Sequence, residues 1–409
     1  MDALVGALVL FLLGLLGGRF SFTTARSVPG ARFLFIAGTH FLFVGLLLAS
    51  PPVHLLTPAV QQSLYPLLAL AIGWVGLLFG MQLDVRQLRV FPAGLIALAM
   101  VQAVVAFLFF AGVAYAVLRS AGPLDRPTHA ALGAAAATAC ISSPLGVALT
   151  NRLVRAKGRL PELLLFVASL DALVGVVAIQ LIYAVYHPLE AAGGFQQRGG
   201  LEWFAMALAV GVMFGILFVW LVRARPTRDE LAVFLLGLAL FIAGAALYLG
   251  VSALFVAVVA GLVITNVSPL GPRIYEQLRD WEKPIYVVLL VLLGAMLEFD
   301  TWLVVPFALG YTLLRVLGKL TGGWVAGRLL PASERPRADF GLGLIAQSGM
   351  PLALALSVAL SQGSLSDQGT TALQFLVNTV VLAVVASEFI GPALTRGVLR
   401  RDAATVTAH

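Results

Sequence analysis

Apolar blocks long enough to cross a bilayer recur along the whole chain. The first of them is "ALVGALVLFLLGLLGG", residues 3–18. A membrane-spanning helix needs roughly 17–25 predominantly apolar residues. Charged residues make up only 11% of the 409-residue chain, whereas a soluble domain carries about 25%. The sequence therefore predicts an all-α polytopic membrane protein.

Thirteen apolar blocks are separated by polar breaks. Asp2 precedes the first block and Arg19 and Arg26 follow it, which reverses the charge order of a signal peptide, so this block is interpreted as a retained helix. The predicted spans are residues 3–18, 32–49, 65–81, 91–118, 129–150, 161–187, 203–222, 230–248, 250–266, 284–298, 302–327, 340–361 and 371–395.

Basic residues are concentrated in alternate loops between these spans. Of the 26 Lys and Arg residues, 21 fall in the set of loops that begins after the first span, and only 3 fall in the opposite set. Because cytoplasmic loops carry the excess of basic residues, we predict an external N-terminus and a cytoplasmic C-terminus. We also expect a bacterial inner (cytoplasmic) membrane location. The same pattern explains the net charge of +7 without nucleic-acid binding.

Two of the predicted spans share an interruption. The fifth contains "ACISSPLGVAL" (139–149) and the twelfth contains "IAQSGMPLALAL" (345–356). Pro144 and Pro351 each remove a backbone donor, and nearby small polar residues can satisfy the carbonyls of a broken helix. Paired interruptions predict a binding site between two inverted six-helix repeats, with a linking helix between the repeats. A proline kink that serves packing alone is the alternative.

Three charged side chains fall well inside predicted spans. Asp171 lies in the sixth span, within "ASLDALVGV", and Arg315 and Lys319 lie four residues apart in the eleventh, on one helix face. A charge at the bilayer centre is costly, so these residues are expected to face a cavity and to act there. A purely structural ion pair is the alternative. Glu388, in the thirteenth span, is interpreted as an acid that snorkels or caps near the cytoplasmic end.

A lone carboxylate in such a site can bind a proton or a bare monovalent cation, but not both at once. Thr138, Ser142 and Ser143 offer hard oxygen atoms for the ion, which favours Na⁺, K⁺ or Li⁺. Gln347 and Ser348 are interpreted as supporting polar groups. The histidines are scattered and there is one cysteine, so we predict no transition-metal site and no cofactor. The sequence contains no protease, hydrolase or phosphate-loop motif, so we do not predict an enzyme.

Four stretches resemble the monovalent cation/proton antiporter superfamily, in the branch of bacterial sodium/proton antiporters and Kef-type potassium systems. They are the Gly-rich helix end "GLLFGMQLDVRQLR" (76–89), the helix–loop–helix of residues 260–300, the lysine-containing helix "LRVLGKLTGGWVAGRL" (314–329) and the broken helix "GLGLIAQSGMPLALAL" (341–356). Together with their order, they extend the resemblance over essentially the whole chain.

The resemblance implies that Asp171 is the essential acid of cation/proton exchange. The family carries an Asp-Asp or Asn-Asp pair at this place, whereas Leu170 and Ala172 flank the aspartate here. Met350 and Gln347 stand where related proteins carry a glutamate and an arginine. Two-acid members move net charge and single-acid members do not, so the resemblance implies electroneutral exchange of one proton for one cation.

The resemblance also implies a homodimeric transporter whose core moves against a scaffold like an elevator. The implied divisions are the scaffold and dimerisation helices 1–90, the core helices 91–187, the linker helix 188–228, the scaffold helices 229–300, the core helices 301–397 and a short cytoplasmic tail 398–409. Departures from the family pattern leave two alternatives open. One is a non-transporting membrane sensor or complex subunit on the same fold, and the other is a cation channel or symporter.

Overall fold

A computed structural model of the chain describes eight stretches of residues. They are 2–20, 38–154, 158–186, 199–223, 226–298, 301–331, 335–362 and 367–406. Parts of several predictions lie outside the described residues, among them the start of the second span (32–37), the end of the sixth span (187), the beginning of the linker segment (188–198), the end of the second scaffold range (299–300) and the end of the tail (407–409).

The described stretches are helical and contain no strand. A 3₁₀ helix covers Phe340–Leu344. The α-helices are α1 (Asp2–Phe20), α2 (His40–Ala49), α3 (Pro58–Ser63), α4 (Tyr65–Met81), α5 (Val85–Leu88), α6 (Ala93–Ala121), α7 (Arg126–Ala139), α8 (Pro144–Val154), α9 (Arg159–Val185), α10 (Gly200–Val222), α11 (Arg228–Leu249), α12 (Ala253–Val267), α13 (Gly271–Ala295), α14 (Val304–Gly327), α15 (Gly349–Gln362) and α16 (Asp367–Val406).

Every predicted span overlaps helical backbone in the described stretches. Seven helical segments there are long and apolar enough to cross a bilayer. Several others, such as α2 and α12, are apolar but shorter. The all-helical membrane architecture is therefore confirmed, and the number of helices that cross the bilayer stays a prediction.

The predicted loop before the tenth span is wrong. Helix α13 begins at Gly271 and not at residue 284, and it continues through Pro284. The polar first turns are amphipathic: Ile274 and Leu278, four residues apart, are fully buried, while Arg273 and Arg279 are exposed. A count of apolar residues misses such a helix, because only one of its faces is apolar.

The first residues of the predicted short tail (398–409) are helical, because α16 continues through the predicted boundary to Val406. Val398 and Leu399 are buried, so this extension packs against the rest of the protein. Arg401 donates to Asp339 at 3.1 Å across the surface. The last helix therefore extends well beyond its apolar stretch.

The helices pack in two groups. Helix α13 packs against α1, α2, α4 and α12, and α4 packs against α12, with α11 beside α4 and α12. Helices α6–α9, α14, α15 and α16 form the second group around the 3₁₀ helix. Helix α10 contacts α9 of the second group and α12 of the first. Movement of one group against the other stays a prediction.

Glycines set the closest approaches within the first group. A Cβ at Gly45 of α2 would stand 2.0 Å from the carbonyl oxygen of Val291 in α13, and one at Gly294 would stand 2.1 Å from that of Leu42. Helices α4 and α12 meet in the same way at Gly80. Because small residues let helix backbones approach closely in a membrane, this group packs tightly.

Candidate functional site

Two interrupted helices meet at the centre of the second group. Residues 140–143 separate α7 from α8, and residues 345–348 separate the 3₁₀ helix from α15. The Ser143 amide donates to the Ala346 carbonyl at 2.8 Å, so the two breaks are in contact. Pro144 and Pro351 lie in the first turns of α8 and α15, where a missing N–H costs nothing because those amides have no intrahelical partner.

Asp171 lies on α9 beside the first break, and its side chain is fully buried. Its Oδ1 accepts from the Ser142 amide at 3.0 Å. Its Oδ2 accepts from the Ser142 hydroxyl at 2.5 Å and from the Lys319 ammonium at 2.7 Å. Both carboxylate oxygens therefore have donors, as a buried charge requires.

Lys319, not Arg315, is the base that pairs with Asp171. Its side chain is as fully buried as that of the aspartate. The ammonium also donates to the Ser142 hydroxyl at 2.8 Å and to the Cys140 carbonyl. Ser142 thus connects the two charges, and its hydroxyl is also within 2.9 Å of the Leu344 carbonyl in the second break.

Arg315 lies one turn before Lys319 on α14 and binds the backbone of both interrupted helices. Its guanidinium donates to the Ala139 carbonyl, which ends α7. It also donates to the Leu344 and Ile345 carbonyls, at 3.1 and 3.2 Å. The last carbonyls of a helix lack intrahelical partners and carry a partial negative charge, so a fork of donors stabilises both ends.

A third set of polar side chains lies on the same face of α14. The Tyr311 hydroxyl, one turn before Arg315, donates to Thr138 Oγ1 at 3.0 Å. The Gln347 amide donates to the Thr138 carbonyl at 3.0 Å and lies 3.4 Å from the Tyr311 hydroxyl. Thr138 and Gln347 therefore bond to each other directly and both contact Tyr311, and neither bonds directly to Asp171 among the described contacts.

Comparison with known proteins identifies the family. The family model described as "Sodium/hydrogen exchanger, transmembrane" matches residues 7–401. The chain belongs to this family. The predicted superfamily is thereby confirmed, and the family is one of membrane transporters.

A solved structure supports the fold of this exchanger-family chain. The sodium proton antiporter MjNhaP1 from Methanocaldococcus jannaschii, at pH 8, matches with a TM-score of 0.71 and 16% sequence identity, over 98% of this chain and 99% of that one. At this identity the likeness concerns the fold alone. Among curated protein sequences, none is significantly similar to the chain.

Within this member of the family, the remaining predicted site residues lie at the edge of the breaks. The Ser143 hydroxyl accepts from the Gly146 amide at 3.0 Å and so caps α8. Ser348 is half-buried in the second break. Ser142 is the one predicted hydroxyl that bonds to Asp171 in the described contacts, so the predicted oxygen ligands do not converge on a single point.

Two site residues were not predicted from the sequence. Tyr311 was missed, although its spacing of four residues from Arg315 places both on one face of α14. Glu388 was interpreted as an acid that snorkels or caps near the cytoplasmic end, and snorkelling is wrong because the residue is 4% exposed. Its Oε2 accepts from the Thr39 hydroxyl at 2.6 Å, which joins α16 to the start of α2.

Arg315→Met is expected to destabilise this exchanger-family protein strongly. The substitution removes the donors to three buried carbonyls, and each such loss costs about 1–3 kcal/mol. Thermal unfolding of the purified protein in detergent measures the effect. The unfolding temperature of Arg315→Lys should fall between those of wild type and Arg315→Met, because an ammonium cannot reproduce the planar fork of the guanidinium. The control is Leu313→Met on the exposed face of α14. An unfolding temperature for Arg315→Met equal to that of the control would contradict this role.

Proposed function

We propose that the chain exchanges a monovalent cation, Na⁺ or K⁺ and also Li⁺, for protons across a bacterial inner membrane, with Asp171 as the group that binds either ion. The observation that carries the proposal is the fully buried carboxylate of Asp171 beside two helix breaks, paired with Lys319 at 2.7 Å, in a chain of the sodium/hydrogen exchanger family. A charged pair in that place is costly, and such residues mark ion pathways.

Competition for one carboxylate supplies the exchange. In the proton-loaded state the Lys319 ammonium and the Ser142 hydroxyl occupy Asp171 Oδ2. A cation that binds Oδ2 must displace the ammonium, since one buried carboxylate cannot balance two positive charges at that position. The Ser142 hydroxyl and the nearby Leu344 carbonyl then offer the cation hard oxygen ligands. The pair releases one proton as the cation binds.

Charge accounting favours electroneutral exchange. Asp171 is the acid that pairs with Lys319, whereas Arg315 bonds to backbone carbonyls among the described contacts. Leu170 and Ala172 beside Asp171 are apolar and buried. When one proton leaves for each cation that binds, the loaded site carries the same charge in both states. This holds whether the proton resides on the lysine or on the carboxyl, because the interacting pair titrates as a unit.

Exchange of one proton for one cation is expected to give no transport current. A solid-supported membrane or a voltage-clamped proteoliposome patch measures this, with an imposed membrane potential as the variable and the proton flux recorded in parallel. The flux should follow the cation gradient and remain the same at both polarities. A transport current that accompanies the proton flux and changes with the membrane potential would contradict one-for-one exchange.

Alternating access would come from movement of one helix group against the other. The group that holds Asp171, α6–α9 with α14–α16, is the proposed core, and the group of α1, α2, α4 and α11–α13 is the proposed scaffold and homodimer contact. The tight glycine contacts between α2 and α13 suit a rigid scaffold. The loop charges favour an external N-terminus and a cytoplasmic C-terminus.

Proteoliposomes loaded with a pH-sensitive dye test the proposed function. An inward proton gradient is imposed, and Na⁺, K⁺ or Li⁺ is then added in turn. Cation-driven recovery of the dye signal is expected for at least one of Na⁺ and K⁺, and empty liposomes are the control. No recovery with any of the three cations would contradict exchange and favour a non-transporting sensor or subunit.

A further inference from the structure

Glu388 is a second buried acid, on the far side of the first break from Asp171. Its side chain is 4% exposed, and Oε2 accepts from Thr39 at 2.6 Å. The other oxygen, Oε1, is buried and has no hydrogen-bond partner among the described residues. A buried carboxylate oxygen without a donor is costly, so a bound ligand at Oε1 would stabilise this carboxylate.

A small cavity of about 20 Å³ lies beside this carboxylate. Ser143, Gly146, Ala346, Gln347 and Glu388 line it together with apolar side chains. Ser143 is the neighbour of Ser142, which binds Asp171 through the other side of the same break. The cavity and Asp171 are therefore separated by a single segment of broken helix.

The charge around the cavity favours a cation. Lys319 and Arg315 bind Asp171 and the helix-end carbonyls, and no Lys, Arg or His is ion-paired with Glu388 in the described part of the chain. The lining also includes the hydroxyl of Ser143 and the amide of Gln347, which provide hard oxygen atoms. One carboxylate with neutral oxygens in a space of this size suits a monovalent ion that has lost most of its water.

Glu388 also connects the cavity to the first helix group. Thr39, at the start of α2, belongs to the first group, whereas Glu388 and the broken helices belong to the second. The Tyr286 hydroxyl of α13 is another buried atom without a partner in the described residues, and its ring contacts Gly349, the first residue of α15. A polar space along the contact between groups is where an ion can pass when one group moves against the other.

We propose that Glu388 is a second binding site for the transported monovalent cation, occupied between Asp171 and the side of the membrane where α8 ends. This rests on the proposed function for the identity of the ion. The loop charges around Arg152, which lies in the last turn of α8, assign that side to the cytoplasm. Glu388 would hold the cation through Oε1 while Thr39 keeps Oε2 in place.

Equilibrium binding of radiolabelled Na⁺, with radiolabelled Rb⁺ in parallel as a K⁺ substitute, tests the site on purified protein in detergent. Asp171→Asn is expected to retain one cation site per chain, and the double variant Asp171→Asn/Glu388→Gln is expected to bind neither ion. Equal binding by the single and double variants, or no binding of either ion by Asp171→Asn, would overturn the proposal. This readout does not depend on transport.

Exchange kinetics give the second readout. Glu388→Gln preserves shape and can still accept the Thr39 hydrogen bond, while it removes the negative charge and replaces the second oxygen with an NH2 donor. Its KM for the cation should rise about tenfold, or about 1.4 kcal/mol, while the maximal rate changes little. Glu276→Gln, an exposed acid on α13, is the matched control and should keep the wild-type KM.

Thr39→Val separates the charge from the hydrogen bond, because it removes the donor and keeps the carboxylate. A smaller rise of KM than in Glu388→Gln is expected. Equal KM values for Glu388→Gln and wild type, or a rise in Thr39→Val as large as in Glu388→Gln, would overturn the proposal. A wild-type protein that exchanges no cation would instead contradict the proposed function, and the binding measurement would still decide the site.

Discussion

Asp171→Asn is expected to abolish cation-driven proton movement in proteoliposomes. The asparagine still accepts from the Ser142 amide, as Asp171 Oδ1 does at 3.0 Å, so local geometry is kept. It has no negative charge to bind a cation and no site for an exchangeable proton. The rate should fall at least about 100-fold, the factor that about 2.8 kcal/mol of lost ion binding would give.

Glu162→Gln is the matched control for this prediction. It makes the same type of substitution on the same helix, at an exposed acid near the start of α9, and should exchange at the wild-type rate. Both variants should be compared at equal amounts of reconstituted protein. An Asp171→Asn variant that exchanges as fast as Glu162→Gln would show that the ion binds elsewhere.

The second large effect concerns the stability of the buried pair. Asp171→Asn leaves the Lys319 ammonium without its counterion, and Lys319→Met leaves the carboxylate without its base, with both side chains fully buried. Removal of one partner of a buried ion pair costs about 3–5 kcal/mol, whereas removal of both is far less costly. Thermal unfolding should therefore place the double variant Asp171→Asn/Lys319→Met above both single variants.

Transport separates stability from function in this double-mutant cycle. The double variant should be the most stable of the three and yet exchange no protons, because it lacks both groups that hold the exchanged ion. Strictly additive losses of stability would mean that the two side chains do not interact. Recovery of exchange in the double variant would mean that Asp171 and Lys319 form a purely structural ion pair, which is the alternative interpretation of these charges.

Much of this site could be predicted from the sequence because lipid penalises charge. Asp171, Arg315 and Lys319 stand out in apolar spans, and the matched breaks around Pro144 and Pro351 are visible as small polar residues in otherwise apolar runs. The structure brings these elements together: Ser142 of the first break contacts both Asp171 and Lys319. Intramembrane polar residues are few, so each carries information.

The sequence could not decide which base meets the acid. Arg315 and Lys319 lie one turn apart on one face of α14. A displacement of the helix by one turn, about 5.4 Å, would therefore bring Arg315 to the place that Lys319 occupies. Packing of α14 against both breaks determines the outcome, with Arg315 on the Leu344 and Ile345 carbonyls and Lys319 on Asp171. Such packing involves contacts far apart in the chain.

Glu388 was misplaced for a related reason. The predicted end of the last span at residue 395 puts this acid near a helix terminus, from which a side chain can reach water. Helix α16 instead continues to Val406, and Glu388 packs at the contact with Thr39. An amphipathic extension beyond an apolar run is not detected by hydropathy, as the polar first turns of α13 also illustrate.

The central claim is that a cation and a proton compete for Asp171. Proton release from purified, weakly buffered protein on addition of Na⁺ or K⁺ tests it most directly, with a pH indicator in the detergent solution. Wild type and Glu388→Gln should both release about one proton per chain as the cation binds, and Asp171→Asn should release none. Undiminished release from Asp171→Asn, or no release from wild type under conditions in which it binds the cation, would contradict the claim.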